Sequence, residues 1–89
     1  MIIKDANDGR HKYIAYFNDG TATRFGSYGM SDYTQHKDKE RRRLYRIRHA
    51  KDLLTHNPKR AGYLSYYLLW NKPTLEGSLK DYIRRFGDL

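Results

Sequence analysis

"KYIAYFNDGTATRFG", residues Lys12 to Gly26, decides the fold class. Asn18-Asp19-Gly20 stands between two runs rich in β-branched and aromatic side chains. Asp-Gly at such a junction is a hairpin signal, because a type I′ turn needs positive φ at both central residues. A two-residue Asp19-Gly20 turn sets Phe17 opposite Ala22, Tyr16 opposite Thr23 and Ile14 opposite Phe25. Ile14, Tyr16, Thr23 and Phe25 then share the expected core face. A second Asn-Asp-Gly, at Asn7-Asp8-Gly9, would join "IIKDA" to "RHKYI". The expectation for residues 1–26 is an antiparallel meander of two or three strands with one side wet.

Beyond Gly26 the apolar spacing turns helical. Asp32 followed by Gln35 reads as a capping box, which opens a helix over residues 32–50. Its apolar seam is partial: Leu44, Ile47 and Leu54 on one side, with Lys37, Glu40 and Lys51 among them. That seam is expected to dock on the core. "THNP" breaks the chain, and Pro58 suits the first turn of a new helix over 58–70. "KRAGYLSYYLLW" is apolar nearly all round, with Tyr63, Leu64, Tyr67 and Leu68 as one stripe and Tyr66, Leu69 and Trp70 outside it. Such a helix is central, and Gly62 would permit a close crossing. Tyr66, Leu69 and Trp70 exceed what so small a domain buries easily, so they are expected as a homodimer interface. Thr74 caps a last helix over 74–86, striped by Leu75, Leu79, Tyr82, Ile83 and Phe86, with Asp81 able to pair with Arg85. The architecture expected is α+β: a small N-terminal sheet packed against about three helices in one domain, 1–89.

Nine tyrosines in 89 residues let burial be high while hydropathy stays low. The absence of cysteine excludes disulfides and thiolate zinc sites. "MIIKDANDGR" has no apolar leader core, and "YLSYYLLW" is far too short to span a bilayer, so a chain without membrane insertion is expected. His11, His36, His49 and His56 lack metal-ligand spacing, and the acids are scattered beside bases. No catalytic, metal or cofactor site is therefore read from the sequence, and the chain is not expected to be an enzyme.

The net charge of +8 favours an anionic partner. Between Lys37 and Arg48 seven bases (Lys37, Lys39, Arg41, Arg42, Arg43, Arg46 and Arg48) face only Asp38 and Glu40. Lys39, Arg42, Arg46 and His49 lie roughly opposite Leu44 and Ile47 on a helical projection. An apolar side on the core with a guanidinium side free for phosphates is what a backbone-contacting helix needs. Arginine's planar fork suits phosphate oxygens. Lys59, Arg60 and Lys72 would extend the patch. The plainer alternative is a solvated charged face with pairs such as Asp38–Arg42.

Asp32-Tyr33-Thr34 with His36-Lys37-Asp38, Ala61-Gly62, Leu69-Trp70-Asn71-Lys72-Pro73, and Asp81-Tyr82 with Arg85-Phe86 carry a resemblance. From about Lys12 to Phe86 the chain resembles a family of uncharacterised small basic proteins of large nucleocytoplasmic DNA viruses, including marseillevirus-like ones. The resemblance implies a viral origin and a place in the virion or the viral factory of the host cytoplasm, with the nucleus also open. It brings no catalytic residues.

The function expected is thus non-enzymatic binding of duplex DNA through phosphates, without strong sequence specificity. Contacts are assigned to Lys39, Arg41, Arg42, Arg43, Arg46, Arg48, Lys59, Arg60 and Lys72. The alternative is a minor capsid or other virion protein that binds an acidic protein partner.

Overall fold

The computed structural model describes residues 1–89. Strands β1 (Ile2–Asp5), β2 (His11–Tyr16) and β3 (Ala22–Ser27) form an antiparallel sheet in the order β1-β2-β3. Helices follow: α1 (Tyr33–His36), α2 (Lys39–His49) with a 3₁₀ continuation at Ala50–Thr55, α3 (Ala61–Leu64) with a π-helical continuation at Ser65–Leu69, and α4 (Leu75–Phe86). The fold is α+β, with the sheet at the N-terminus as expected.

Both hairpins turn where Asp-Gly stands. In the first, the Asp8 carboxylate accepts from the backbone N–H groups of Arg10 and His11, at 2.8 Å each. The second is one residue longer than a type I′ turn. Phe17 N–H donates to the Thr21 carbonyl at 2.9 Å, Gly20 N–H donates to the Phe17 carbonyl at 3.1 Å, and Gly20 has φ +89°. This is the three-residue loop that ends on a left-handed glycine. The added residue shifts the pairing to Tyr16–Ala22, Ala15–Thr23, Ile14–Arg24 and Tyr13–Phe25.

A slip of one residue exchanges the faces of a strand. The inner face is accordingly Tyr13, Ala15, Phe17, Thr23 and Phe25, not the expected Ile14, Tyr16, Thr23 and Phe25. Tyr16 is exposed. Ile14 is buried on the other face, between Lys4 and Arg24 across the sheet, whose long stems can shelter it.

The helix expected over 32–50 is two helices. Asp32 forms the capping box with Gln35, but Lys37 takes φ +56° and ends α1 after one turn. Asp38 then caps α2 by accepting from the N–H groups of Glu40 and Arg41. Two aspartates, each able to bond a helix start, restart the chain instead of continuing it.

Pro58 lies in a turn rather than in a helix, and α3 starts later than expected, with Arg60 as N-cap. Its continuation into i→i+5 bonding widens the turn, so the apolar positions are redistributed around the axis. Tyr66 (9 % exposed) and Leu69 (2 %) are consequently buried within this chain, and Trp70 is half-buried. That corrects the assignment of Tyr66 and Leu69 to a dimer interface, since both are covered by their own chain; Trp70 keeps part of its surface open.

Gly62 does sit at a close crossing; a Cβ there would lie 2.8 Å from the Cβ of Asp52. Thr74 caps α4 through its hydroxyl, which accepts from Gly77 N–H at 3.0 Å. The core joins Ala15, Phe17 and Phe25 of the sheet to Leu64, Leu68, Leu69 and Tyr82. The buried Tyr82 hydroxyl donates to the Pro58 carbonyl at 2.6 Å. No helix is long and apolar enough to cross a membrane.

Candidate nucleic-acid interface

α2 is seated the opposite way round from the sequence expectation. Leu44 (45 % exposed), Ile47 (62 %) and Leu54 (74 %) point away from the core, and no residue of α2 is fully buried. The side turned inward is Arg42, Tyr45, Arg46 and His49, each partly buried.

The seat explains the reversal. It consists of aromatic rings and of the carbonyls left over where the helix through Ser65–Leu69 ends. Arg46 Nη1 donates to the Trp70 carbonyl at 3.0 Å, and its guanidinium lies 4.1 Å from the centre of the Tyr66 ring. Arg42 Nε donates to the Asn71 carbonyl at 2.8 Å, and its guanidinium lies 5.4 Å from the Tyr33 ring. Cations over ring faces and at the negative end of a helix are both favoured. Leucine and isoleucine would leave those carbonyls unpaired. Tyr45 stacks on Trp70 at 4.3 Å and on His49 at 4.1 Å, so both of its faces are taken and neither is open to a nucleobase. Burial pushes the Tyr45 hydroxyl up to about 12.

Arg46 of α2 and Arg85 of α4 approach one another at the Tyr67 ring. Buried Asp81 accepts from Arg84 Nη2 at 2.6 Å, from Arg85 Nε at 2.7 Å and from Asn71 Nδ2 at 2.7 Å. These bonds, Arg85's first, hold its carboxyl well below the usual carboxylate range. Arg85 lies 5.4 Å from the Tyr67 ring and Arg46 lies 6.0 Å from the same ring. Burial, with Arg42 and Arg85 nearby, pulls the Arg46 guanidinium below its usual value. Arg84 and Arg85 thus share the single carboxylate of Asp81, while Arg46 faces Arg85 across the Tyr67 ring and Arg42 lies beside Arg46. Arg42 spends only Nε and Arg46 only Nη1 on the protein. Their remaining N–H groups are donors without partners.

The residues assigned from sequence separate into groups. Arg43 is taken by Glu40, at 2.6 and 3.0 Å, and Arg42 does not pair with Asp38. Lys39, Arg41 and Arg48 are exposed and enter no ion pair, but Arg41 and Arg48 flank Leu44 on the outward side. Lys59 is held by Asp19 and lies 5.3 Å from the Phe17 ring. Arg60 is exposed beside it, at the start of α3. Lys72 is exposed at the other end of that helix, near the arginine cluster. The nine therefore do not form one ridge backed by Leu44 and Ile47.

Arg84, Arg85, Asp81 and Asn71 were missed as site residues. The adjacent arginines were visible, and so was the Asp81–Arg85 spacing. Their approach to α2 depends on helix packing and has no local signal. No group of His, Asp and Glu is placed to hold a metal ion.

His36 sits at the break between α1 and α2. Its Nδ1 accepts the Asp38 N–H at 2.9 Å, which assigns the proton to Nε2. Nε2 is buried without an acceptor, and the ring lies 5.3 Å from that of Trp70, within reach of an N–H···π contact. Burial, followed by the Arg41 charge, lowers its pKa.

Residues 1–49 match a family described as a family of unknown function (DUF5754), and the chain belongs to that family. The match takes in β1, which the viral resemblance did not reach. No curated protein and no solved structure matches the chain.

Proposed function

We propose that this member of the DUF5754 family is a non-enzymatic nucleic-acid-binding protein of a large DNA virus. It grips phosphates through the seam between α2 and α4 rather than through the outward face of α2. One observation carries the reading: Arg46 and Arg85 flank one Tyr67 ring, Arg42 and Arg46 keep unpaired N–H groups, and the only carboxylate bonded in this cluster, Asp81, is taken by Arg84 and Arg85. Unneutralised like charges held this close raise the free energy of the isolated protein, and an anion relieves it. The guanidinium planes are fixed by carbonyls and rings before any ligand arrives, so little rotamer entropy is lost on binding. Phosphate contacts of this kind position a duplex without reading its sequence. Lys72 and Lys39 extend the same charge. The virion or viral factory is the setting proposed, on the strength of the family resemblance.

The test is an anisotropy titration against duplex DNA, single-stranded DNA and RNA over a range of salt. About four neutralised phosphates give log K a slope near −3 to −4 against log [salt] for a duplex. Replacing Arg42 and Arg84 together by glutamine should flatten that slope by about two. Arg60→Gln, remote from the seam, should leave it unchanged. Absence of binding to all three polymers at roughly 50 mM salt, where a few phosphate contacts should still register, removes the proposal.

A further inference from the structure

The outward face of α2 carries what the core was expected to take. Leu44, Ile47 and Leu54 are uncovered large side chains on a segment otherwise dominated by charge. Scattered exposed apolar residues need no explanation, but Leu44 and Ile47 lie one turn apart on α2, and Leu54 follows on its 3₁₀ continuation. Around them Arg41, Arg48 and Lys51 enter no ion pair, and the only acid on that side, Glu40, is taken by Arg43.

Beside the patch a groove of about 610 Å³ runs between α2 and the chain that leaves β3. Arg41, Leu44 and Arg48 form one wall, and Ser27 and Met30 form the other. Met30 is itself exposed. Asp32, at the edge of the groove, is buried and held by Lys12, so it repels no acidic visitor.

We propose that this face docks an acidic amphipathic helix of a partner protein. Its apolar stripe would lie over Leu44 and Ile47 and along the groove toward Met30, and its carboxylates would meet Arg41 and Arg48. The charge pattern selects this occupant. A phosphate backbone offers nothing to Leu44 and Ile47, whereas an apolar stripe with acidic flanks satisfies both parts of the surface. The spacing agrees: Arg41 and Arg48 are two helical turns apart, about 10 Å along the axis, which matches carboxylates at i and i+7 of a helix lying alongside. This surface is separate from the α2–α4 seam, and it stands whether or not nucleic acid binds there.

The experiment is an NMR titration of the ¹⁵N-labelled full chain with two synthetic amphipathic peptides about five turns long. Both carry a leucine stripe; one is flanked by glutamate and the other by lysine. The glutamate peptide should shift the amides of Met30, Arg41, Leu44, Ile47 and Arg48 and saturate. The lysine peptide should bind at least about tenfold more weakly. The Leu44→Ser, Ile47→Ser double variant loses only exposed side chains, so it should keep the spectrum of the fold and lose the binding.

Equal affinity for both peptides, unchanged affinity in the double variant, or shifts confined to α4 would overturn the proposal. So would a glutamate peptide that fails to bind at all. Binding to anionic phospholipid vesicles that the double variant loses, without peptide binding, would reassign the face to a lipid surface. Concentration-dependent dimerisation abolished by the double variant would reassign it to a second copy.

Discussion

Arg46 and Ile47 are neighbours in the chain, and the reversed seating of α2 makes opposite demands on them. Replacing Arg46 by alanine removes a charged hydrogen bond to the Trp70 carbonyl and a cation over the Tyr66 ring. The bond contributes about 1.5 kcal/mol, because its donor is charged and the carbonyl would be left unpaired. The ring contact contributes about 1 kcal/mol for a half-buried pair. Alanine returns a few tenths of a kcal/mol in helix propensity. The net loss is about 2 kcal/mol, or about 8–16 °C in Tm for a domain this small. Ile47→Ala, at a side chain 62 % exposed, should stay within about 0.5 kcal/mol of the parent. Arg46→Met, which keeps the stem, should fall between them. Urea and thermal unfolding followed by circular dichroism measure all three. If Ile47→Ala cost about 2 kcal/mol and Arg46→Ala almost nothing, an apolar-inward α2 would be restored and the arginine seam would not exist.

Asp81→Asn should destabilise the fold at neutral pH by about 1–3 kcal/mol, since Arg84 and Arg85 lose their carboxylate. Because the folded-state pKa of Asp81 is depressed, its contribution is present above the unfolded carboxylate value near 3.9 and is lost as pH falls below it. The gap between parent and variant should therefore narrow as pH falls below about 4, and a gap of the same size at about pH 2 as at pH 7 would contradict this. His36 is lowered too, mainly by burial, so its neutral form supports the fold above the unfolded value near 6.5 and protonation removes that support as pH falls through it. His36→Gln should flatten the stability profile below about pH 6.5, as read from denaturant midpoints. Gly26 has φ +76°, and a Cβ there would lie 2.8 Å from Leu69 Cδ1. Gly26→Ala should cost about 1–3 kcal/mol by the same unfolding assay, and a neutral result would mean that β3 and Leu69 pack less closely than described.

Features that depend on near neighbours in the chain were legible. Asp8-Gly9 and Asp19-Gly20 turn the sheet, the Asp32–Gln35 capping box and the Thr74 cap start helices, and Asp81 reaches Arg85 across one turn. In each case the energy lies within a few residues, so composition and spacing determine it. The lower resolution of sequence patterns appears at Gly20: one further turn residue, which Asp-Gly alone does not exclude, moved Tyr16 to the open face and Tyr13 to the inner one.

The site was decided by tertiary packing. A helical projection sorts α2 into an arginine side and a leucine–isoleucine side, and the usual rule turns the second inward. That rule presumes an apolar seat. Here the seat is a set of tyrosine and tryptophan rings ending in unpaired carbonyls, and on it guanidinium groups bind better than methyl groups do. The amino-acid sequence by itself determined that the chain would be α+β, basic and capped at Asp32 and Thr74. Only the assembled fold could decide which way α2 would face. It brought Trp70 and Asn71 beneath Arg42 and Arg46 and tied Asn71 to Asp81, and no local pattern encodes a surface built from residues so far apart in the chain.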